Sequence, residues 1–221
     1  MSWVDGALTF GAFLVALSIH ECAHAWTAWT LGDATGRAQG RISLNPARHI
    51  DPFGTVLLPL LLMFGPWRAG GGYGIPFGYA KPVPYNPYVL RNPASGMALI
   101  AGAGPLSNVL LAFVTAALLG ALARAGVAES TLGMKLLGIL VPLNVRLAVF
   151  NLIPIAPLDG SALLAAALPR NVSRSMGGVE RYGFLVLIVL SASGLLARIT
   201  DPVEHTLLEP LARLAGRTFL G

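Results

Sequence analysis

This chain has little charge. Asp, Glu, Lys and Arg make up 11% of its 221 residues, while hydrophobic types make up 55%. A soluble domain carries about 25% charged residues, so a soluble globular protein is excluded and a polytopic membrane protein is indicated. A mean hydropathy of +0.68 agrees. There is one cysteine, Cys22, so no intramolecular disulfide can form. No Lys/Arg cluster and no nucleic-acid-binding motif occurs, so the formal charge of +5 is read as loop anchoring at anionic lipid headgroups, with no nucleic-acid partner. The apolar N-terminus lacks a basic region ahead of it, which argues against a cleavable signal peptide. No linker, internal repeat or low-complexity tract divides the chain, so residues 1–221 read as one membrane-embedded domain.

What is present is a series of apolar runs. Gly6 to Leu31 is the first; as a helix it is roughly 39 Å long, enough to cross a bilayer with some tilt. Phe53 to Trp67 is apolar but short and contains Pro59, the pattern of a re-entrant or interfacial segment. Met97–Ala123 and Leu136–Ile153 read as spans, the second closed by Pro154 and Pro157, and Gly183–Ala197 reads as a further one. The tail places Leu207, Leu208, Leu211 and Leu214 against Glu204, Glu209, Arg213 and Arg217, the spacing of a surface-lying amphipathic helix. The expected fold is an all-α polytopic membrane protein of about four to six transmembrane helices. A catalytic core would span about 6–168, with a peripheral span and amphipathic tail over about 183–221.

The chemistry concentrates in His20-Glu21-Cys22-Ala23-His24, inside the first apolar helix. The i, i+4 spacing puts both imidazoles on one face, where they can grip a zinc ion, with Glu21 beside them as a proton acceptor. Two histidines and a glutamate in mid-membrane are costly unless they meet a polar interior or a metal. A pair of hydrogen-bonded core histidines is the structural alternative. A hydrolytic site needs a third protein ligand, for which there are two candidates: Asp159, which otherwise would cap a short helix, and His49 in Arg48-His49-Ile50-Asp51-Pro52. Asn108 is either an interhelical hydrogen-bonding residue or a donor to the substrate carbonyl or oxyanion. Asn144 and Asn151 lie one heptad apart; Asn151 either positions the Asp159 loop or glues helices. Arg146, within a span, is expected to meet a carbonyl or to snorkel.

The chain resembles the site-2 protease family over roughly residues 15–165. The matching pieces, in order, are His20–His24, Gly40-Arg41-Ile42-Ser43-Leu44-Asn45-Pro46, Ala80-Lys81-Pro82-Val83-Pro84, Gly104-Pro105-Leu106-Ser107-Asn108, and Asn151-Leu152-Ile153-Pro154 through Leu158-Asp159-Gly160. It looks like the compact prokaryotic branch without PDZ or CBS domains, although Ala156 and Ser161-Ala162 stand where proline and Gly-Arg are frequent in relatives. The resemblance implies one Zn2+ per chain held by His20, His24 and Asp159, with Glu21 catalytic. It also implies a small membrane-embedded β-sheet formed around Ile42 and Val83, whose edge would hold an unwound transmembrane protein or peptide substrate. The expected reaction is hydrolysis of peptide bonds in transmembrane or membrane-proximal segments. A membrane zinc transporter and a non-catalytic scaffold are the competing readings. Asp159 must lie on the membrane face to which the first helix descends. Nine basic residues, Arg37 through Arg181, then gather on that face against five on the other, which predicts an active site open to the cytoplasm.

Overall fold

The computed structural model describes residues 3–57, 80–169, 182–217 and 219. Its elements are helices. Helix α1 runs Trp3–Thr30 and a one-turn α2 runs Thr35–Ala38. Two long helices follow, α3 (Pro93–Arg124) and α4 (Leu132–Asn151), then a short α5 (Asp159–Ala167). Helices α6 (Gly183–Ala192) and α7 (Leu195–Ala215) close the chain. By length and composition α1, α3 and α4 can cross a membrane; α6 and α7, bent by 82° at their junction, make up to one more. The expected membrane protein is therefore present, with three to four candidate spans among the described residues.

Local sequence explains the helix starts. Asn92 accepts a hydrogen bond from Ser95 N and is followed by Pro93 at the first helical position, so α3 begins with its free donors partly satisfied. Thr131 plays the same part for α4 through Met134 N.

Packing follows two stripes of four-residue period. On α1 the positions Ala12, Ala16, His20, His24 and Ala28 are all buried. On α3 the positions Gly96, Ile100, Gly104, Asn108, Ala112, Ala116 and Gly120 are all buried. Lipid tails are as apolar as side chains, so helices in a bilayer associate through close packing of small residues and through hydrogen bonds across the interface. Both stripes supply this: small residues at the ends and polar residues in the middle. Helix α4 closes the core. Leu140, Leu143 and Leu147 meet Ala12, Phe13, Ala16 and Leu17 of α1, while Val141, Val145 and Val149 pack with Ala112, Ala116 and Leu119 of α3.

Three expectations are corrected. No strand occurs among the described residues, so the sheet around Ile42 and Val83 is absent there. Pro82 and Pro84 have no N–H to give a ladder. What joins the two segments is one backbone bond, Lys81 N to His49 O at 2.9 Å, together with the buried Arg41, whose guanidinium donates to the carbonyls of Arg48 (2.7 Å), Lys81 (3.2 Å) and Pro82 (3.4 Å). The proposed re-entrant stretch, Phe53 to Trp67, lies mostly outside the described residues. The tail is also not peripheral along its whole length. Helix α6 is largely exposed, but α7 buries Leu208, Leu211 and Ala215 in the α3–α4 core. Its amphipathic face is the expected one; it covers protein and not a lipid surface. Arg146 of α4 pairs with Glu204 of α7 at 2.8 Å, in place of the expected carbonyl or snorkelling arrangement.

Candidate metal centre

His20 and His24 sit midway along the buried stripe of α1, facing α3. Each ring is fixed by its Nδ1. That of His24 lies 2.6 Å from the carbonyl of Ile100, which can only accept, so Nδ1 carries the proton and donates. That of His20 lies 2.5 Å from Oδ1 of Asn108. The Asn108 amide is oriented by its other end: Nδ2 donates to Oδ1 of Asn144 at 2.7 Å and to the Ala16 carbonyl at 3.4 Å, so Oδ1 is left to accept from His20. With Nδ1 carrying the proton, the neutral form of each ring has its lone pair on Nε2, and these two atoms lie 2.9 Å apart.

Asp159 completes the group. Its Oδ2 is 3.1 Å from His20 Nε2 and its Oδ1 is 3.4 Å from His24 Nε2. It is the first residue of α5, directly after the N-cap Leu158, and its carboxylate faces the histidines. The turn that delivers it is tight: a Cβ on Gly160 would lie 2.5 Å from the carbonyl oxygen of Ile153 and closer still to that of Leu152. Glu21 is buried, and its carboxylate lies within 4.8 Å of ligand atoms of both histidines.

The donor set fits a divalent cation. Two imidazole nitrogens and two carboxylate oxygens converge, and the buried Asp159 Oδ2 has no hydrogen-bond partner. Acceptors this close repel unless something positive lies between them. The space is kept open by Gly104 of α3, where a Cβ would lie 2.5 Å from His20 Nε2 and nearer still to His24 Nε2. Nitrogen and carboxylate ligands of this kind suit zinc.

Of the remaining predicted residues, Asn108 touches His20, while His49 and Asn151 bond elsewhere. His49 is buried in the loop after α2, with Nε2 2.8 Å from the Ser43 carbonyl, and is not part of the cluster. Asn151 donates back to the Leu147 carbonyl at 2.9 Å on its own helix. Asn108 is fully buried, with its amide oxygen on His20 and its amide nitrogen on Asn144. Reasoning from the sequence missed Gly104 as a wall of the centre and Asn144 as the partner of Asn108. The signal was there in the four-residue stripe that carries Gly104 and Asn108 on the helix facing His20.

Known proteins are similar to this chain over most of its length. The chain is 35% identical over 210 residues to "Putative zinc metalloprotease YwhC" of Bacillus subtilis, covering 93% of this chain and 90% of that protein. It is 31% identical over 185 residues to "Putative zinc metalloprotease Rip2" of Mycolicibacterium smegmatis, covering 83% of this chain and 66% of that protein. The protein of the same name in Mycobacterium tuberculosis is 31% identical over 183 residues. No protein-family profile and no solved structure matches. With a match running along nearly the whole of one relative, the chain belongs to the site-2 protease family of zinc metalloproteases.

Proposed function

We propose that this metalloprotease cuts peptide bonds within the bilayer, with His20, His24 and Asp159 as metal ligands and Glu21 as general base. One observation carries the reading: two imidazole nitrogens, midway along a helix long and apolar enough to span a membrane, converge with the Asp159 carboxylate. When bound, zinc supplies Lewis acidity at the scissile carbonyl and brings the pKa of a water towards about 7. The chain's own groups do the rest. Glu21 takes the proton of the attacking water and passes it to the leaving nitrogen. Asn108 and the Ile100 carbonyl hold the two rings so that neither turns away.

The substrate is a transmembrane or membrane-proximal segment. His24 lies six residues before the end of α1 at Thr30, which sets the centre roughly 9 Å from that helix end. A helical substrate hides its carbonyls in i→i−4 bonds and must unwind locally to reach it. In this reading residues 1–221 form one peptidase unit with its core over about 6–168. The excess of basic residues on the face where α1 ends makes that face cytoplasmic. A zinc transporter would need ligands repeated along a path; among the described residues the potential metal ligands form a single group.

The test is metal analysis together with cleavage of a transmembrane substrate by the wild type and by Glu21→Gln. The expected result is loss of cleavage by two or more orders of magnitude, on the scale of general-base catalysis (roughly 10²–10⁴-fold), with zinc content near wild type. Loss of zinc in the variant would make Glu21 a ligand and overturn its assigned role.

A further inference from the structure

Three side chains from three helices form one chain of hydrogen bonds that ends at the metal centre. It begins at the Leu140 carbonyl, which accepts from Nδ2 of Asn144 at 2.8 Å. A carbonyl can only accept, so the Asn144 amide is oriented, and its Oδ1 points to α3. There it accepts from Nδ2 of Asn108 at 2.7 Å, which orients the second amide and directs Asn108 Oδ1 at Nδ1 of His20, 2.5 Å away. Both asparagines are fully buried, so no solvent competes for these groups. The Ala16 carbonyl assists by accepting from Asn108 Nδ2 at the longer distance of 3.4 Å.

We infer that Asn144 is a positioning residue for zinc binding: by orienting the Asn108 amide it fixes the Nδ1–H tautomer of His20, so that Nε2 offers its lone pair to the metal. This rests on the assignment of His20 as a ligand. The physical point is that an amide can flip. Turned by 180°, Asn108 would present its NH2 to His20 Nδ1. The imidazole would then hold its proton on Nε2, and a protonated nitrogen cannot bind a metal. His24 has no such ambiguity because a backbone carbonyl fixes it directly. The weaker point of the pair is therefore His20, and Asn144 is what removes the weakness.

The test uses the full-length protein in detergent micelles, with zinc affinity read by chelator competition and the His20 tautomer read from its side-chain nitrogen-15 shifts in metal-free protein. Asn144→Leu keeps similar bulk but removes the acceptor for Asn108. It should lower zinc affinity about 10–100-fold, the range seen when partners behind a metal ligand are lost, and should show His20 in a mixture of tautomers. Asn144→Asp, which as the neutral acid keeps both an acceptor and a donor, should stay within about threefold of wild type and rescue the single tautomer. If Asn144→Leu does not fold, Asn144→Ser carries the same expectation, since its hydroxyl is too short to reach Asn108. A second comparison separates positioning from packing. In an Asn108→Asp background both carboxylate oxygens accept, so orientation no longer matters, and adding Asn144→Leu should cost less than about threefold in affinity. An equal loss in both backgrounds, or an Asn144→Leu protein with wild-type affinity and a single tautomer, overturns the inference while leaving the ligand assignment intact. Zinc affinity unchanged in His20→Ala would overturn the ligand assignment itself, and the inference with it.

Discussion

Gly104→Ala is the smallest change that should disable the metal centre. The added methyl carbon would lie 2.5 Å from His20 Nε2, nearer still to His24 Nε2, and 2.5 Å from His24 Cε1. Non-bonded carbon contacts settle at about 3.5–4.0 Å, so the rings must retreat by roughly 1 Å. Zinc–nitrogen bonds are about 2.0–2.1 Å long, and a displacement of that size is half a bond length. Misplacement by about 1 Å costs on the order of 100-fold in rate. The expectation is therefore a drop of about two orders of magnitude or more in cleavage, together with weakened zinc retention. Gly102→Ala, two residues away on the same helix, is the control. Its methyl would meet only Leu163 Cδ2, at 3.8 Å, and replacing a mid-helix glycine by alanine favours the helix by up to about 1 kcal/mol. The two variants should thus move apart: Gly102→Ala active and at least as stable as wild type, Gly104→Ala folded but inactive. Zinc content by elemental analysis, cleavage of a reporter segment and thermal unfolding in detergent measure all three quantities. A Gly104→Ala protein with wild-type zinc affinity and activity would mean that the metal does not sit between these imidazoles.

Gly160→Ala should weaken zinc retention without touching a ligand, because its methyl would collide with the carbonyls of Leu152 and Ile153 and shift the turn that presents Asp159; unchanged chelator competition would count against this. Glu204→Gln should destabilise the docking of α7 by about 1–3 kcal/mol, since Glu204 is nearly buried and the half-exposed Arg146 would lose a charged partner; a double-mutant cycle with Arg146→Met should recover part of this, and strict additivity would show that the pair is not coupled. Asp33 is buried, which alone would raise its pKa, but bonds from Thr35 N (2.9 Å), Thr35 Oγ1 (2.5 Å) and Asn86 N (2.6 Å) hold its carboxyl below the usual carboxylate range. The folded pKa is depressed, so its contribution is present above the unfolded value of about 3.9 and fades as pH falls through the folded value. The stability gap between wild type and Asp33→Ala should therefore narrow in acid, and a gap that widens as pH falls would refute the assignment.

The spans and the pentad were legible because their signals are local. Hydropathy over a window finds α1, α3 and α4, and an i, i+4 pair declares its own geometry on a helix. The four-residue stripes were equally local and went unread: small residues in a membrane helix look like featureless apolar sequence until His20 and Asn108 mark which face is buried. The Arg146–Glu204 pair could not be read, because 58 residues separate the partners and nothing local selects one acid over another. The sheet failed for a different reason. Ala80 to Pro84 has the extended character of a strand, but its prolines remove the donors a ladder needs, and the buried Arg41 takes up its carbonyls instead.

The contacts also decide a question of sidedness without reference to any loop. Ala28 and Leu31, where α1 ends, pack with Leu90, Met97 and Ile100, where α3 begins, so these two ends share one face. The chain between them must start and finish on that face. Helices α3 and α4 pack with Met134 near the end of α3 and with Asn144 beside Asn108 further back, an antiparallel pair that returns the chain to its starting side at Asn151. Eight residues later Asp159 meets His20 and His24. Side chains from two segments more than 130 positions apart in sequence are therefore brought together by parity: α3 and α4 run out and back after a segment that begins and ends on one face. In accessibility labelling with Cys22 replaced, single cysteines at Arg37 and Arg91 should react from the same side, and one at Ser130 from the opposite side. Labelling of positions 37 and 91 from opposite sides would break the parity, and with it the geometric case for Asp159 as a ligand.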